Sequence, residues 1–223
     1  MSKQFLLIVA VIVVGLIALF TFTKPKNTTS GTNSNGQTSK HIQGKGAKNV
    51  TLQEYGDYQC PFCGAFYPVV KQVAAQYNND IFFQFSNLPL FQIHNNAIAG
   101  ARAAEAASLQ GKFWEMHDML YENQSESTGW VVSSTPLTFF TSFAQQLGLD
   151  TNKFTQDYSS SAVNDTIQAD LAAFKKTGQQ EATPSFFIDG KFVPLTNLYD
   201  ANGQPSAAKF AQVINAEIAA KNK

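Results

Sequence analysis

Residues 54–66 read EYGDYQCPFCGAF, and a Cys-x-x-Cys pair, Cys60-Pro61-Phe62-Cys63, stands at their centre. Upstream, NVTLQEY (49–55) alternates Val50 and Leu52 with polar residues, the period-two signature of a strand. Downstream, Phe66, Val69, Val70, Val73, Ala74 and Tyr77 recur at helical spacing, so Gly64 to Tyr77 is expected to be a helix. Pro68, in its first turns, is expected to kink it. After Asn78-Asn79-Asp80 comes a second strand, IFFQF (81–85). The order is strand, cysteine pair, helix, strand. That is a βαβ unit with the pair at the helix N-terminus.

The placement favours thiol chemistry. Exchange with a disulfide needs a thiolate, and a free cysteine offers little at neutral pH. The first turn of a helix carries unpaired N–H groups and a partial positive charge, both of which stabilise an anion. Pro61 suits the first helical position, where its missing N–H is not needed. Cys63 lies one turn on, within reach of a mixed disulfide at Cys60. Two other readings stay open: an inert pair, or half a zinc site. Zinc would need two of His41, His94 and His117, which show no paired spacing.

A second signal is distant. QEATPSFFIDGKFVP (180–194) reads as strand, Asp-Gly turn and strand, and Thr183-Pro184 stands just before it. Proline opening a strand is tolerable at any sheet edge. Taken together, EYGDYQCPFCGAF and ATPSFFIDGKFV resemble the thioredoxin superfamily, and within it the DsbA-like disulfide oxidoreductases, including membrane-anchored Gram-positive members. The resemblance covers about residues 48–220. It implies an α/β thioredoxin-like fold with a helical insertion, and a redox-active Cys60–Cys63 disulfide with no other cofactor and no metal. By position, Cys60 would be the nucleophile and Cys63 the resolving thiol. Thr183-Pro184 would be a cis-proline dipeptide facing them, where a substrate strand can pair. Glu54 matches the buried acid that such proteins use as a proton relay; a surface strand carboxylate is the other reading. The resemblance also implies reduced exported proteins as substrates and a quinone-linked membrane protein as reoxidant. One departure is Phe62, where strong oxidants of the family carry histidine. Phe62 can donate neither a hydrogen bond nor charge to a thiolate.

Between the two signals no strand pattern appears. Asn96 to Tyr121 carries a broad apolar stripe broken near Gly111, Thr135-Pro136 opens another helix, and one further helical run spans about Asn152 to Lys176. This is the expected insertion, about residues 94–177. A final helix is expected from Ser206 to about Ala220. Asp57 reads as a turn residue, and His94 and His117 as ordinary helix-end and helix-face residues.

The N-terminus differs from all this. FLLIVAVIVVGLIALFTF (5–22) has no charge, and eighteen helical residues rise about 27 Å, close to a bilayer core. A membrane anchor over residues 1–23 is expected, with a cleaved signal peptide as the alternative. Residues 24–48, rich in Thr, Ser, Asn and Gly, read as a flexible tether, and 49–223 as the folded domain. Residues 1–48 hold six lysines and no acid; the remainder has ten bases against sixteen acids, a net −6. An acidic body without a basic stripe excludes a nucleic-acid binder. Because disulfides persist outside the cytosol, the domain of this single-pass protein is expected on the extracytoplasmic side, working as a monomer. A disulfide reductase or isomerase, or a non-enzymatic thioredoxin-like binding module, is the alternative function.

Overall fold

The computed structural model describes residues 37–125 and 127–222. The expected anchor, and the tether up to residue 36, lie outside them. Among the described residues no helix is long and apolar enough to cross a membrane.

Strands β1 (His41–Gln43), β2 (Val50–Gly56), β3 (Ile81–Asn87), β4 (Ser185–Ile188) and β5 (Lys191–Val193) form one sheet in the order β1-β3-β2-β4-β5. β2 and β3 run parallel, joined by helix α1 (Pro61–Gln76), which is the expected βαβ unit. The other pairings are antiparallel. The expected hairpin is present, with Asp189 and Gly190 both at positive φ (46° and 76°), the geometry a two-residue turn needs to match the strand twist. Central β2 sends Val50 and Leu52 to one face, where they pack with Phe66, Val70 and Val73 of α1 and with Phe210 and Ile214 of α7 (Ala207–Lys221). Tyr55 points to the other face and packs with Phe174 and Phe187. Helix α1 runs on through Pro68 as one element.

Between β3 and β4 the chain builds the helical insertion: α2 (Ala97–Ser108), α3 (Phe113–Glu122), α4 (Pro136–Gln146), α5 (Thr151–Tyr158) and α6 (Ser161–Lys176). Gly111, at φ 74°, separates α2 from α3 as the sequence predicts. The run expected over 152–176 is instead two helices. Ser160 interrupts it, because its hydroxyl accepts from the Val163 N–H at 3.3 Å and caps a new helix. The core of the insertion includes Trp130, Phe140, Phe143 and Phe154, and Cys60 and Cys63 pack into it.

The tether boundary also needs correction. It was expected to reach Lys48, but His41–Gln43 is an edge strand of the sheet. Little apolar sequence marks this strand, because a polar side chain fills its buried position. The His41 ring stacks on Phe113 with centroids 3.3 Å apart, and its Nε2 pairs with Glu105 at 2.8 Å. Asn87 donates to Glu105 and to Asp170, and Asp170 accepts the Ser39 N–H, so with His41 five buried polar residues tie β1 and the segment before it to β3 and the insertion. Past the strand, Gly44 takes φ 92°, where a Cβ would come 2.3 Å from the Ile81 carbonyl oxygen.

Candidate active site

Cys60 is the N-cap of α1 and Pro61 its first residue, so the cysteine pair sits on the first turn as the sequence predicts. Both thiols are free and buried. The Cys60 thiol donates to the carbonyl of Thr183 at 3.4 Å, and the Thr183-Pro184 peptide bond is cis. Residues 123 positions apart in sequence thus meet at one sulfur. Thr183 Oγ1 is buried beside it without a protein partner.

The two sulfurs have opposite electrostatics. The Cys63 thiol, hydrogen-bonded to Cys60, lowers the Cys60 pKa from 9.0 to about 6; burial opposes this, and the Thr183 side chain and the Cys63 and Phe62 N–H groups add to it. Burial pushes Cys63 well above the usual thiol value, reinforced by the bond it gives to Cys60. The Asp57 N–H points at Cys63 Sγ from 3.5 Å. Of the pair, Cys60 is the sulfur poised as thiolate and Cys63 the one poised to hold its proton.

Glu54 lies beneath them. The sequence left two readings, and the structure buries this carboxyl at 3% exposure in central β2, between Phe85 of β3 and Phe186 of β4. Burial, with the Cys60 charge as the second cause, raises its pKa from 4.5 to about 8. It lines a cavity of about 450 Å³ on the α1–α3 side, with Tyr67, Lys71, Trp114, His117 and Asp118 among its walls. Nearby, Tyr58 Oη, Tyr121 Oη and His117 Nε2 are buried without protein partners.

The loop into Cys60 is held by contacts that the sequence did not reveal. Asp57 is a turn residue, its Oδ1 accepting the Gln59 N–H at 2.8 Å, but it is also fully buried. Its Oδ2 accepts from Leu90 N–H at 3.0 Å and pairs with His94 Nδ1 at 2.6 Å. His94 is therefore more than a helix-end residue. His117 is buried among rings of Tyr58, Phe85, Trp114 and Tyr121, and burial lowers its pKa. The three histidines pair with Glu105, Asp57 and Asp118 at separate places, and the two cysteines have none of them as a partner. Three side-chain amides also tie the loop to the insertion, one from the loop and two from the insertion, and the Asn96 N–H donates to Gln59 Oε1. Gln59 donates to the Val131 carbonyl, Asn96 to those of Trp130, Val131 and Ser133, and Gln124 to those of Tyr58 and Cys60. A lone amide side chain gives no periodic signal, so sequence reading could not single these out.

Comparison with known proteins agrees with this geometry. A thioredoxin family model matches residues 36–216. BdbD from Bacillus subtilis, in its oxidised form, superposes with a TM-score of 0.65 at 21% identity, over 82% of this chain and 96% of that one. MdbA, a thiol-disulfide oxidoreductase from Actinomyces oris, gives 0.60 at 18% identity, over 78% and 86%. At these identities the likeness is one of fold. Among curated sequences, Na(+)/H(+) antiporter NhaA 1 of Salinispora arenicola is 34% identical over 156 residues, 68% of this chain but 22% of that protein. The chain spans less than a quarter of that relative's length, and antiport belongs to that whole protein.

Proposed function

This chain belongs to the thioredoxin family, and from that premise we propose that it is a DsbA-type thiol:disulfide oxidoreductase that forms disulfide bonds in exported proteins. The observation that carries the reading is the asymmetry of the pair: Cys60 at a helix N-terminus with a pKa of about 6, Cys63 buried and held protonated. In the oxidised enzyme a substrate thiolate attacks Sγ of Cys60. The Cys60–Cys63 bond breaks, a mixed disulfide forms at Cys60, and Cys63 leaves as a thiolate that takes a proton. Glu54, neutral at pH 7 and in contact with a cavity, is the group we assign to supply that proton. A second substrate thiolate then attacks the substrate sulfur of the mixed disulfide and expels the Cys60 thiolate. The substrate has lost two electrons, the enzyme has gained them as a dithiol, and a quinone-linked membrane partner takes them back.

The backbone at Thr183, whose carbonyl faces Cys60, is the edge against which an extended substrate pairs. Phe62, Phe91, Ile93 and Val132 are exposed, and Val132 shares a recess with Pro61 and His94. Such a rim suits unfolded polypeptide with its apolar side chains still uncovered. We place the domain outside the cytosol on a membrane anchor formed by residues 5–22, since disulfides made there persist. The test is equilibration of the purified protein with a glutathione redox buffer, together with oxidation of a reduced test protein. A potential more positive than thioredoxin's, about −270 mV in general, supports the oxidase. A value at or below it replaces the oxidase by a reductase.

A further inference from the structure

Of the contacts from the insertion to the loop 57–60, one reaches the backbone of the reactive cysteine itself. Gln124, just beyond α3, points Nε2 between two carbonyl oxygens, that of Tyr58 at 2.8 Å and that of Cys60 at 2.9 Å. The Cys60 carbonyl already accepts the first i→i−4 hydrogen bond of α1, from the Gly64 N–H at 3.1 Å, so two donors converge on it. The space for the Gln124 amide exists because residue 64 has no side chain. A Cβ there would lie 1.9 Å from Gln124 Oε1 and 2.9 Å from its Cδ. Glycine is otherwise a poor choice inside a helix. Its occurrence one residue after the cysteine pair therefore has a specific steric reason.

We propose that Gln124 is a positioning residue for Cys60: its amide fixes the Cys60 carbonyl, and with it the backbone that aims the sulfur at the N–H groups of the first turn, while Gly64 is glycine in order to admit it. The inference rests on the proposed redox role of Cys60 and adds the element that sets it. The chemistry is local. A carbonyl oxygen on the same residue as a thiolate carries partial negative charge, and two donors hold it turned away and partly neutralise it. Without the amide, the Cys60 carbonyl keeps only the Gly64 bond, and the 58–60 turn keeps only the Gln59 hydrogen bonds to the insertion. The sulfur then meets the Phe62 and Cys63 N–H groups in a looser geometry, which favours the thiol over the thiolate.

The experiment is a double-mutant cycle read by thiolate absorbance against pH on the reduced, full-length protein. Gln124→Ala is expected to raise the Cys60 midpoint by about half a unit, which is about threefold less thiolate on the acid side of the titration. Gly64→Ala, which on helix propensity alone should be benign, is expected to raise it similarly by displacing the far end of Gln124. In the Gln124→Ala background, Gly64→Ala should then add nothing, because there is no amide left to displace. Gln124→Met, of the same length but without donors, repeats the first arm if the alanine variant does not fold. A merely structural role would lower the melting temperature and leave the titration in place. A wild-type Cys60 titrating near 9.0 overturns the redox reading and this inference with it. A wild-type midpoint near 6 that Gln124→Ala and Gln124→Met leave unmoved overturns this inference alone. So does a Gly64→Ala effect of equal size in both backgrounds.

Discussion

Two buried acids of opposite perturbation lie one above the other, and together they predict an unusual dependence of stability on pH in the reduced protein. Cys60 is held below its usual value, from 9.0 to about 6, so between these limits the folded state binds fewer protons than the unfolded one. Its contribution is fully present above pH 9.0 and is lost as pH falls through about 6. Glu54 is held above its usual value, from 4.5 to about 8, so its contribution is fully present below pH 4.5 and is lost as pH rises through about 8. In the window they share, about pH 6 to 8, each slope is about 1.4 kcal/mol per pH unit and the signs are opposite. The reduced wild type should therefore be nearly level across that window as far as these two groups decide it. Replacing Cys60 by Ser should leave most of the Glu54 slope, a loss of about 2 kcal/mol from pH 6 to pH 8, because burial is the larger cause of that shift and the Cys60 charge the smaller. Glu54→Gln should leave the Cys60 slope, a gain of similar size. The measurement is urea unfolding of the reduced proteins at half-unit steps of pH, with stability taken from the midpoint and slope. Parallel curves for the wild type and both variants would refute the assignment of the two perturbed acids. So would a Glu54→Gln curve that falls with pH.

The cysteines should separate by function as well. Cys60→Ala should abolish oxidation of a reduced test protein, Cys63→Ala should accumulate mixed disulfides on a non-reducing gel, and a thiol alkylator should label Cys60 first, with a half-maximal rate near pH 6. Phe62, which is exposed and contributes neither charge nor a side-chain donor, is a site for tuning. Phe62→His should move the reduction potential positive in a glutathione titration, and an unchanged value would show that the helix terminus alone sets it. Asp57→Ala strips acceptors from the Gln59 and Leu90 N–H groups and from His94. It should lower stability by about 2 to 4 kcal/mol in a denaturant titration, whereas a loss under 1 kcal/mol would mean that water replaces the carboxylate without penalty.

How much of this was legible in the sequence follows from how each feature is encoded. The βαβ unit, the cysteine pair on its helix and the Asp-Gly hairpin were readable because periodicity and turn chemistry are local. Pairing Thr183 with Cys60 needed a resemblance, since nothing local links residues so far apart. β1 escaped because the side chain it buries is His41, not an aliphatic one, and a three-residue strand has too few positions to show alternation. The split at Ser160 escaped because a capping serine inside an otherwise helical pattern looks like a tolerated polar residue. Glu54 was half legible: its place in the strand was clear, but burial is a property of what packs over it. Gln59, Asn96 and Gln124 act through single amides on carbonyls tens of residues away, which leaves no pattern along the chain.

The edge strand β1 has a mechanical consequence. Residue 41 lies opposite Phe85 and residue 43 opposite Phe83, so tension entering the domain from the N-terminal side is applied first to this short pairing. The buried Ser39–Asp170 and His41–Glu105 contacts sit at the point of loading and resist peeling, leaving the β2–β3 pairing behind them unloaded until they yield. A rupture there would shorten the domain by one edge strand and free the residues of that strand. Cys60 and Cys63, two strands further in at the end of β2, would stay in register with Thr183. Strain on the chain and chemistry at the sulfurs are thus decoupled by a sacrificial joint.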